Sequence, residues 1–462
     1  MASPASPLSP PKVLIVGAGV AGLLLGALLE RAKIPYVIFE RAATVKPLGA
    51  IMSVNASILP VFEQIGIYDD LMKFSYTTDG MYIYDENLNL IRHNSNEGVK
   101  EAIGYGPLVF SRPKFYDLLL AQIPTDKIHF NKKVVSIEHG EEIEKNPFGS
   151  HVKIVCADNT SYEGDILVGA DGTYSAVRQS LYKDLREKNL LPKNDMQALK
   201  IGYLTMVGTT DPLDVNTYPE LKDDFSHFHF VIGNGKPHTW HTFTVPENKM
   251  CWGVQVQLTK DAGSEDKSAR DEAEWGPQGT EAMIKEVRDF TTPYGPLGKI
   301  IDATPRERIS KVYLEEKLFD TWHYGRTVLI GDAAHKMSPS QGQGAVNALE
   351  DAVILANCLY DIAETPTYQN ITEAFKEYKE QRFPHVKFHF QDSAMKARLV
   401  FGQTWSDQLL RKIFVGYMPQ YVRLNEIIKA GTYKPQCLFL PLAPKRGTKD
   451  PLPQKPLKRK LL

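Results

Sequence analysis

The sequence lacks most of the features that would place it quickly in a special class. Its four cysteines (Cys156, Cys251, Cys358, Cys437) lie far apart in 462 residues. They form neither a redox pair nor a metal-ligand spacing, so they read as reduced structural thiols of an intracellular protein. No metal site is expected. Neither charge sign is in excess, with 54 Lys plus Arg against 55 Asp plus Glu, so nucleic acid has no electrostatic footprint to meet. No stretch is long and apolar enough to span a bilayer. Residues 13–29 come nearest, but glycines interrupt them and polar text follows. Residues 1–11 are rich in Pro, Ser and Ala without a cationic start, which predicts a disordered lead-in and a cytoplasmic protein. No internal repeat and no Ser-His-Asp pattern is present.

What is present opens the chain. Val13 to Val16 are four consecutive apolar residues, the pattern of a buried parallel strand. Gly17, Gly19 and Gly22 then supply G-x-G-x-x-G, with Ala21 inside the motif, and a helical pattern follows to Arg31. Gly17 permits the tight turn, Gly19 lets the backbone approach a pyrophosphate, and Gly22 lets helix and strand pack closely. The helix N-terminus offers unpaired N–H groups to that phosphate. A second strand over 36–39 ends at Glu40, eighteen residues past Gly22, where a carboxylate can accept ribose hydroxyls. This order of elements predicts a dinucleotide site.

Further along, the patterning predicts a short helix over 56–66 and a strand pair over 81–92 turning at Asp85 to Asn87. A helix over 114–122 should follow Ser111, Arg112 and Pro113, and a hairpin should turn at Asp158 and Asn159. A buried strand over 166–169 comes next. Residues 201–258 are strand-rich and aromatic, and 271–290 read as a helix. Strands are expected at 312–314 and 327–330, and a helix entered from a loop after Gly331. The helix over 372–381 should be interrupted at Pro384, and 398–428 should be helical in pieces. Residues 445–462 read as a loose Pro/Lys-rich tail. The fold class is α/β: a Rossmann-like nucleotide domain with an interleaved β-rich domain and a helical C-terminal region.

Two more motifs narrow this. One is the run Gly169 to Arg178, reading GADGTYSAVR. The other runs from Gly331 through Asp332 to Pro339, then Gly342, Gly344, Ala345 and Val346. With the opening glycines, these resemble the class A FAD-dependent monooxygenases of the para-hydroxybenzoate hydroxylase-like fold, and most closely the fungal enzymes of secondary metabolism. The resemblance spans about residues 13–398. It implies FAD as cofactor, with NAD(P)H as a visiting reductant and O2 as co-substrate. It also implies hydroxylation of an aromatic or epoxidation of an olefinic small molecule through a flavin C4a-hydroperoxide. The cofactor-binding residues implied are Gly17, Gly19, Ala21, Gly22, Glu40, Arg41, Gly49, Arg112, Asp171, Gly172, Arg178, Asp332, Pro339, Gly342, Gly344, Ala345 and Val346. Val346 stands where many members have asparagine, with Asn347 one residue later, so any contact there is through backbone.

The expected segments are a nucleotide domain over 12–75, 111–182 and 301–395, a substrate domain over 76–110 and 183–300, and a helical region with a basic tail over 396–462. Weak catalytic candidates are His227, His229, His241 and Tyr82, from alternating ring-bearing strands. A second glycine fingerprint is absent, which disfavours two-nucleotide-domain flavoenzymes, and the W-x-W-x-I-P of related halogenases is absent too. An FAD oxidase or reductase on the same fold, or a non-catalytic flavin-fold protein, are the alternatives. The tail cations Lys455, Lys458, Arg459 and Lys460 make membrane-peripheral association a secondary reading. A monomer and a homodimer stay open.

Overall fold

The computed structural model describes residues 10–44, 51–139, 151–234, 236–258, 277–402 and 404–459. The opening strand Val13–Val16 lies near the centre of a six-stranded sheet. Its order is His323–Tyr324, Thr327–Leu329, Ile166–Gly169, Val13–Val16, Tyr36–Phe39 and Ile128–His129, parallel except for the first pair. Val13, Leu14, Ile15, Ile166, Leu167 and Val168 are fully buried. Helices cover both faces of such a sheet, so its strands carry unbroken apolar runs. Helix Val20–Ala32 packs between this sheet and helix Gln343–Ile362. Leu23, Leu24, Leu25, Leu28 and Leu29 are fully buried there, and truncating any one to Ala would cost about 2–5 kcal/mol.

The β-rich insertions build an eight-stranded sheet. Its order is His335–Lys336, Ser310–Leu318, Lys200–Thr209, Lys249–Gln257, His238–Val245, Phe228–Ile232, Gly80–Asp85 and Leu90–Ser95. Side chains alternate between its faces. Val231, Trp240 and Val254 point outward, against Met283, Ile284, Val287, Ile300 and Ile301 of helices Pro277–Val287 and Leu297–Asp302. Ile83, Phe230 and Ile232 point inward, against Ala397 and Phe401 of helix Tyr368–Phe401.

Four expectations are corrected. The strand Ser310–Leu318, expected within the nucleotide segments, belongs to the eight-stranded sheet, paired with Lys200–Thr209. Strand pattern over 225–231 breaks at His227 into Phe225–Ser226 and Phe228–Ile232, which join different sheets. Pro384 does not interrupt its helix, which runs unbroken over Tyr368–Phe401. The proline removes one N–H donor, while Ile371, Phe375, Tyr378, Arg382 and Val386 hold the helix to the core. The tail is irregular but tied down: Lys455 and Lys458 reach Glu377 at 3.0 and 2.6 Å, and Arg459 reaches Glu364 at 2.5 Å. Those cations are already partnered; Lys460 lies outside the described residues. Among the described residues no helix is long and apolar enough to cross a membrane.

Candidate functional site

The opening glycines divide by what each must accommodate. A Cβ on Gly17, whose φ is +107°, would lie 2.4 Å from the Ala170 carbonyl oxygen, and one on Gly22 would lie 2.1 Å from the Gly17 carbonyl oxygen. The fold itself demands both. At Gly19 a Cβ would meet only the Ala170 oxygen, at 4.0 Å. The protein leaves that side open, as close backbone approach by a pyrophosphate requires. Gly19 also caps helix Val20–Ala32 without a side-chain hydrogen bond, so the first N–H groups face the opening. Ala21 is buried in the first turn. Glu40 accepts the Ala18 N–H on Oε2 and the Ala42 N–H on Oε1, each at 2.9 Å, which fixes its carboxylate beside the glycine turn with lone pairs to spare. Arg41 is exposed beside it. Gly49 lies outside the described residues.

Two downstream motifs converge on the same mouth. Gly169 and Ile330 are joined by a backbone hydrogen bond of 3.0 Å, which sets their loops side by side. Asp332 Oδ2 accepts from Lys336 Nζ at 2.5 Å and from the Thr173 hydroxyl at 3.3 Å. Burial works to raise the Asp332 pKa, but the charge and hydrogen bond of Lys336, with His335 and Thr173, hold it below the usual carboxylate range. Arg112 lines the cleft; crowding by protein lowers its pKa, and the Asp332 charge opposes that.

Asp171 and Arg178 turn out to hold the loops. Asp171 Oδ2 accepts the Ala176 and Val177 N–H groups at 2.7 and 3.2 Å, capping helix Ala176–Glu187, while its buried Oδ1 has no hydrogen-bond partner. Burial raises its pKa against the opposing bonds from Ser175 and backbone. Arg178 donates to the carbonyls of Ala333 (3.0 Å) and Thr173 (2.6 Å) and lies 4.2 Å over the Phe319 ring. It is a strut between the motifs, and these contacts direct its guanidinium away from a cofactor. Gly172 is open, with nothing within 4 Å of its Cβ position.

Beyond Asp332, a short turn Pro339–Gln341 leads into the helix Gln343–Ile362. Gly342, at φ +65°, is its N-cap, without a side-chain hydrogen bond. A Cβ there would meet Ser53 Oγ at 2.4 Å. Gly344 is open, with only Met337 at 4.0 Å. Twenty residues of helix therefore aim a positive N-terminal end at the mouth. Ala345 lies in that first turn, and Val346 is buried, so only its backbone can face a ligand. Asn347 turns inward: its Oδ1 accepts from Arg382 Nη2 at 3.0 Å. Arg382 also reaches Asp351 and Glu350, each at 2.8 Å, and Asp351 in turn accepts from His335 Nε2 at 2.6 Å and the Gly331 N–H at 2.9 Å. Lys336, Asp351 and Arg382 were not anticipated from sequence; only the helical spacing of Asp332 and Lys336 hinted at a pair. Two open helix N-termini, an open glycine at each, an unpaired Asp171 oxygen and facing Arg112 and Asp332 suit a long anionic dinucleotide with a polyol arm. The donor set fits FAD.

The inner face of the large sheet meets this mouth. Ser340 Oγ donates to the Ser393 carbonyl at 2.8 Å, and Gln341 binds Asp392 at 2.7 Å. One turn on, the same long helix packs Ala397 and Phe401 against Phe230 and Tyr203. A cleft of about 250 Å³ opens between Ile51, Ser111 and Lys114 on one side and Thr209, Val245 and Ser310 on the other. The register places His241 beside Phe230 and Gly253 on the inner face, and Thr239 beside Ile232 and Gln255. Gly253 leaves room for the His241 ring, whose Cε1 would lie 2.5 Å from a Cβ there. His241 Nδ1, Thr239 Oγ1 and Gln255 Oε1 are buried without hydrogen-bond partners. Burial pushes the His241 pKa down to about 4, with a smaller opposing contribution from Gln255.

The other candidates face away. His229 pairs in register with Tyr82 on the outer face, against Tyr84 and Tyr294, and His227 stacks parallel to His229. His227, His229 and Tyr82 are therefore removed from the catalytic side. Alternation told which residues share a face, while the packing of the long helix decides which face is inner.

The FAD binding domain family profile matches residues 11–392. The chain is 30% identical to the FAD-dependent monooxygenase penE of Penicillium thymicola, over 89% of this chain and 83% of that protein. It is 29% identical to the FAD-dependent monooxygenase atmM of Aspergillus flavus, over 94% of this chain and 88% of that protein. Among solved structures, Klebsiella pneumoniae HpxO, determined with FAD and uric acid, superposes with a TM-score of 0.73 at 20% identity, covering 92% of this chain and 97% of that one.

Proposed function

The chain belongs to the FAD binding domain family and, within it, to the FAD-dependent monooxygenases; on that basis we propose that it epoxidises an olefinic, lipophilic small molecule held on the inner face of the eight-stranded sheet. When bound, FAD takes hydride from NAD(P)H and, with O2, furnishes the oxygen atom transferred to substrate. In this reading Gly17, Gly19 and Gly22 cradle the pyrophosphate, with Glu40 and Arg41 at the adenosine end. Asp332 holds the ribitol, and the N-terminus of helix Gln343–Ile362 faces the flavin pyrimidine. Arg112 completes the wall beside Asp332. The proposed nucleotide segments are 12–75, 111–182 and 301–395. Strands from all three run in the six-stranded sheet, which supports that division.

One observation carries the choice of chemistry. The inner face presents Ile83, Phe228, Phe230 and Ile232 beside a single polar strip of His241, Thr239 and Gln255. With its pKa near 4, His241 is neutral at physiological pH and a poor base. Its ring can hold a substrate hydroxyl or carbonyl through a hydrogen bond, whereas deprotonating a phenol asks for a base whose pKa lies near the working pH. Olefin epoxidation removes no proton from the substrate. A panel of terpenoid olefins and of phenols, scored by stimulated NAD(P)H consumption and by product mass under isotope-labelled O2, tests this. Labelled epoxides from olefins support it; ring-hydroxylated phenols with untouched olefins overturn it. Product without label returns the chain to the oxidase reading.

A further inference from the structure

The outer face of the eight-stranded sheet carries a cluster that the flavin chemistry does not use. Glu220 lies on the turn Pro219–Lys222, and His227 and His229 flank and occupy the strand Phe228–Ile232. His229 Nε2 lies 3.0 Å from Glu220 Oε2, and His227 Nδ1 lies 3.9 Å from Glu220 Oε1. One donor atom from each of the three lies within 4.8 Å of the others. Ligand atoms on a tetrahedral zinc ion, each about 2.0–2.2 Å from the metal, sit about 3.3–3.6 Å from one another. The cluster brackets that spacing.

The surroundings are organised the same way. The nitrogen of His227 that points away from the cluster, Nε2, is held by Asp223 at 2.7 Å. The remote nitrogen of His229, Nδ1, meets the Tyr84 hydroxyl at 3.4 Å. Tyr294 donates its hydroxyl to Glu220 Oε2. Metal-bound histidines are oriented by such outer partners, and carboxylate ligands are hydrogen-bonded in turn. The His229 side chain is 5% exposed, while that of Glu220 is 35% exposed, so the cluster is walled by protein on one side and reachable by an ion and a water ligand from the other.

We propose that Glu220, His227 and His229 bind a single divalent cation of the borderline class, Zn2+, with water completing the coordination. Two imidazoles and one carboxylate are a donor set that suits zinc and is too nitrogen-rich for calcium or magnesium. The site is structural. It ties the turn Pro219–Lys222 to a strand whose alternate residues, Phe228 and Phe230, form the substrate wall.

The test uses the FAD-loaded full-length enzyme, stripped with chelator, then titrated with ZnCl2 by calorimetry and assayed for bound metal by mass spectrometry. Wild type should take up one equivalent and melt at a higher temperature with zinc than without. Glu220→Gln and His229→Gln should abolish uptake, and Asp223→Asn should weaken it about tenfold to a hundredfold. Flavin absorbance in each variant reports folding independently of the metal. Zinc uptake below one equivalent in wild type, or unchanged uptake in a folded Glu220→Gln, overturns the proposal and leaves a plain histidine–carboxylate ion-pair cluster.

Discussion

Arg382 Nε donates to Asp351 Oδ1 at 2.8 Å, and neither side chain is touched by solvent. The other Asp351 oxygen holds the Gly331 N–H and His335. The cofactor loop is thus anchored from behind by an arginine thirty-one residues along the chain. Breaking one partner of a buried pair strands the other charge, at about 3–5 kcal/mol. Arg382→Met should lower stability in urea by that order and lower flavin retention with it. Wild-type stability in that variant would contradict the anchoring role.

Asp332 should govern flavin affinity more directly. In Asp332→Ala the mouth loses the carboxylate that Lys336 and Thr173 hold ready. A charged hydrogen bond is worth about 1.5–3 kcal/mol, so the FAD dissociation constant should rise roughly tenfold to a hundredfold. Flavin-to-protein absorbance after gel filtration measures this, and unchanged occupancy would count against the assignment.

Gly342→Ala should damage the same site by another route. Its φ of +65° strains any side chain, and its Cβ would press on Ser53 Oγ. Strain of this kind costs about 1–3 kcal/mol. Ser53→Ala in the same chain should restore part of the lost melting temperature but not all, because the backbone strain remains.

His241→Leu should leave flavin content and fold intact while raising KM for an oxygen-bearing substrate about tenfold, the value of one neutral hydrogen bond of about 1.4 kcal/mol. NAD(P)H consumption should uncouple from product in that variant. Because His241 titrates near pH 4, it should contribute no inflection to kcat/KM between about pH 6 and 8.

Acid should destabilise the fold through four histidines. Burial lowers His241, His323, His385 and His389 each to about 4; Lys379 adds to the effect at His323, and Arg382 at His385 and His389. The unfolded chain takes up these protons near the ordinary value of about 6.5 and the folded chain only near 4. Between those values the unfolded state binds more protons, so stability falls as pH drops. Each histidine contributes up to about 1.4 kcal/mol per pH unit inside that window. His323→Gln should flatten the urea-stability profile between pH 6.5 and 4; an unchanged slope would exclude it as a contributor.

The nucleotide half of the site was legible because its signals are local. Gly17, Gly19, Gly22 and Asp332 lie on strand-to-helix turns that a short window of sequence reveals. Arg382, Lys336 and the inward turn of Asn347 were hidden, since their roles arise from contacts between distant helices and loops. The strand alternation that paired His227 with His229 was right about periodicity and silent about direction. Helix Tyr368–Phe401 decides that direction, and Pro384 obscured its length.

Lys336 and His335 pair in register with Lys317 and Leu318, so the loop bearing Asp332 continues as the edge strand of the substrate sheet. Neither layer can be exchanged without the other. A chimera that grafts a relative's residues 183–300 alone would leave the strand Ser310–Leu318 to match a foreign neighbour and would shift the cofactor loop with it. Crossovers placed after the helix Gln343–Ile362 would keep that seam whole, which makes the seam, more than the domain boundary, the natural unit of inheritance and of redesign.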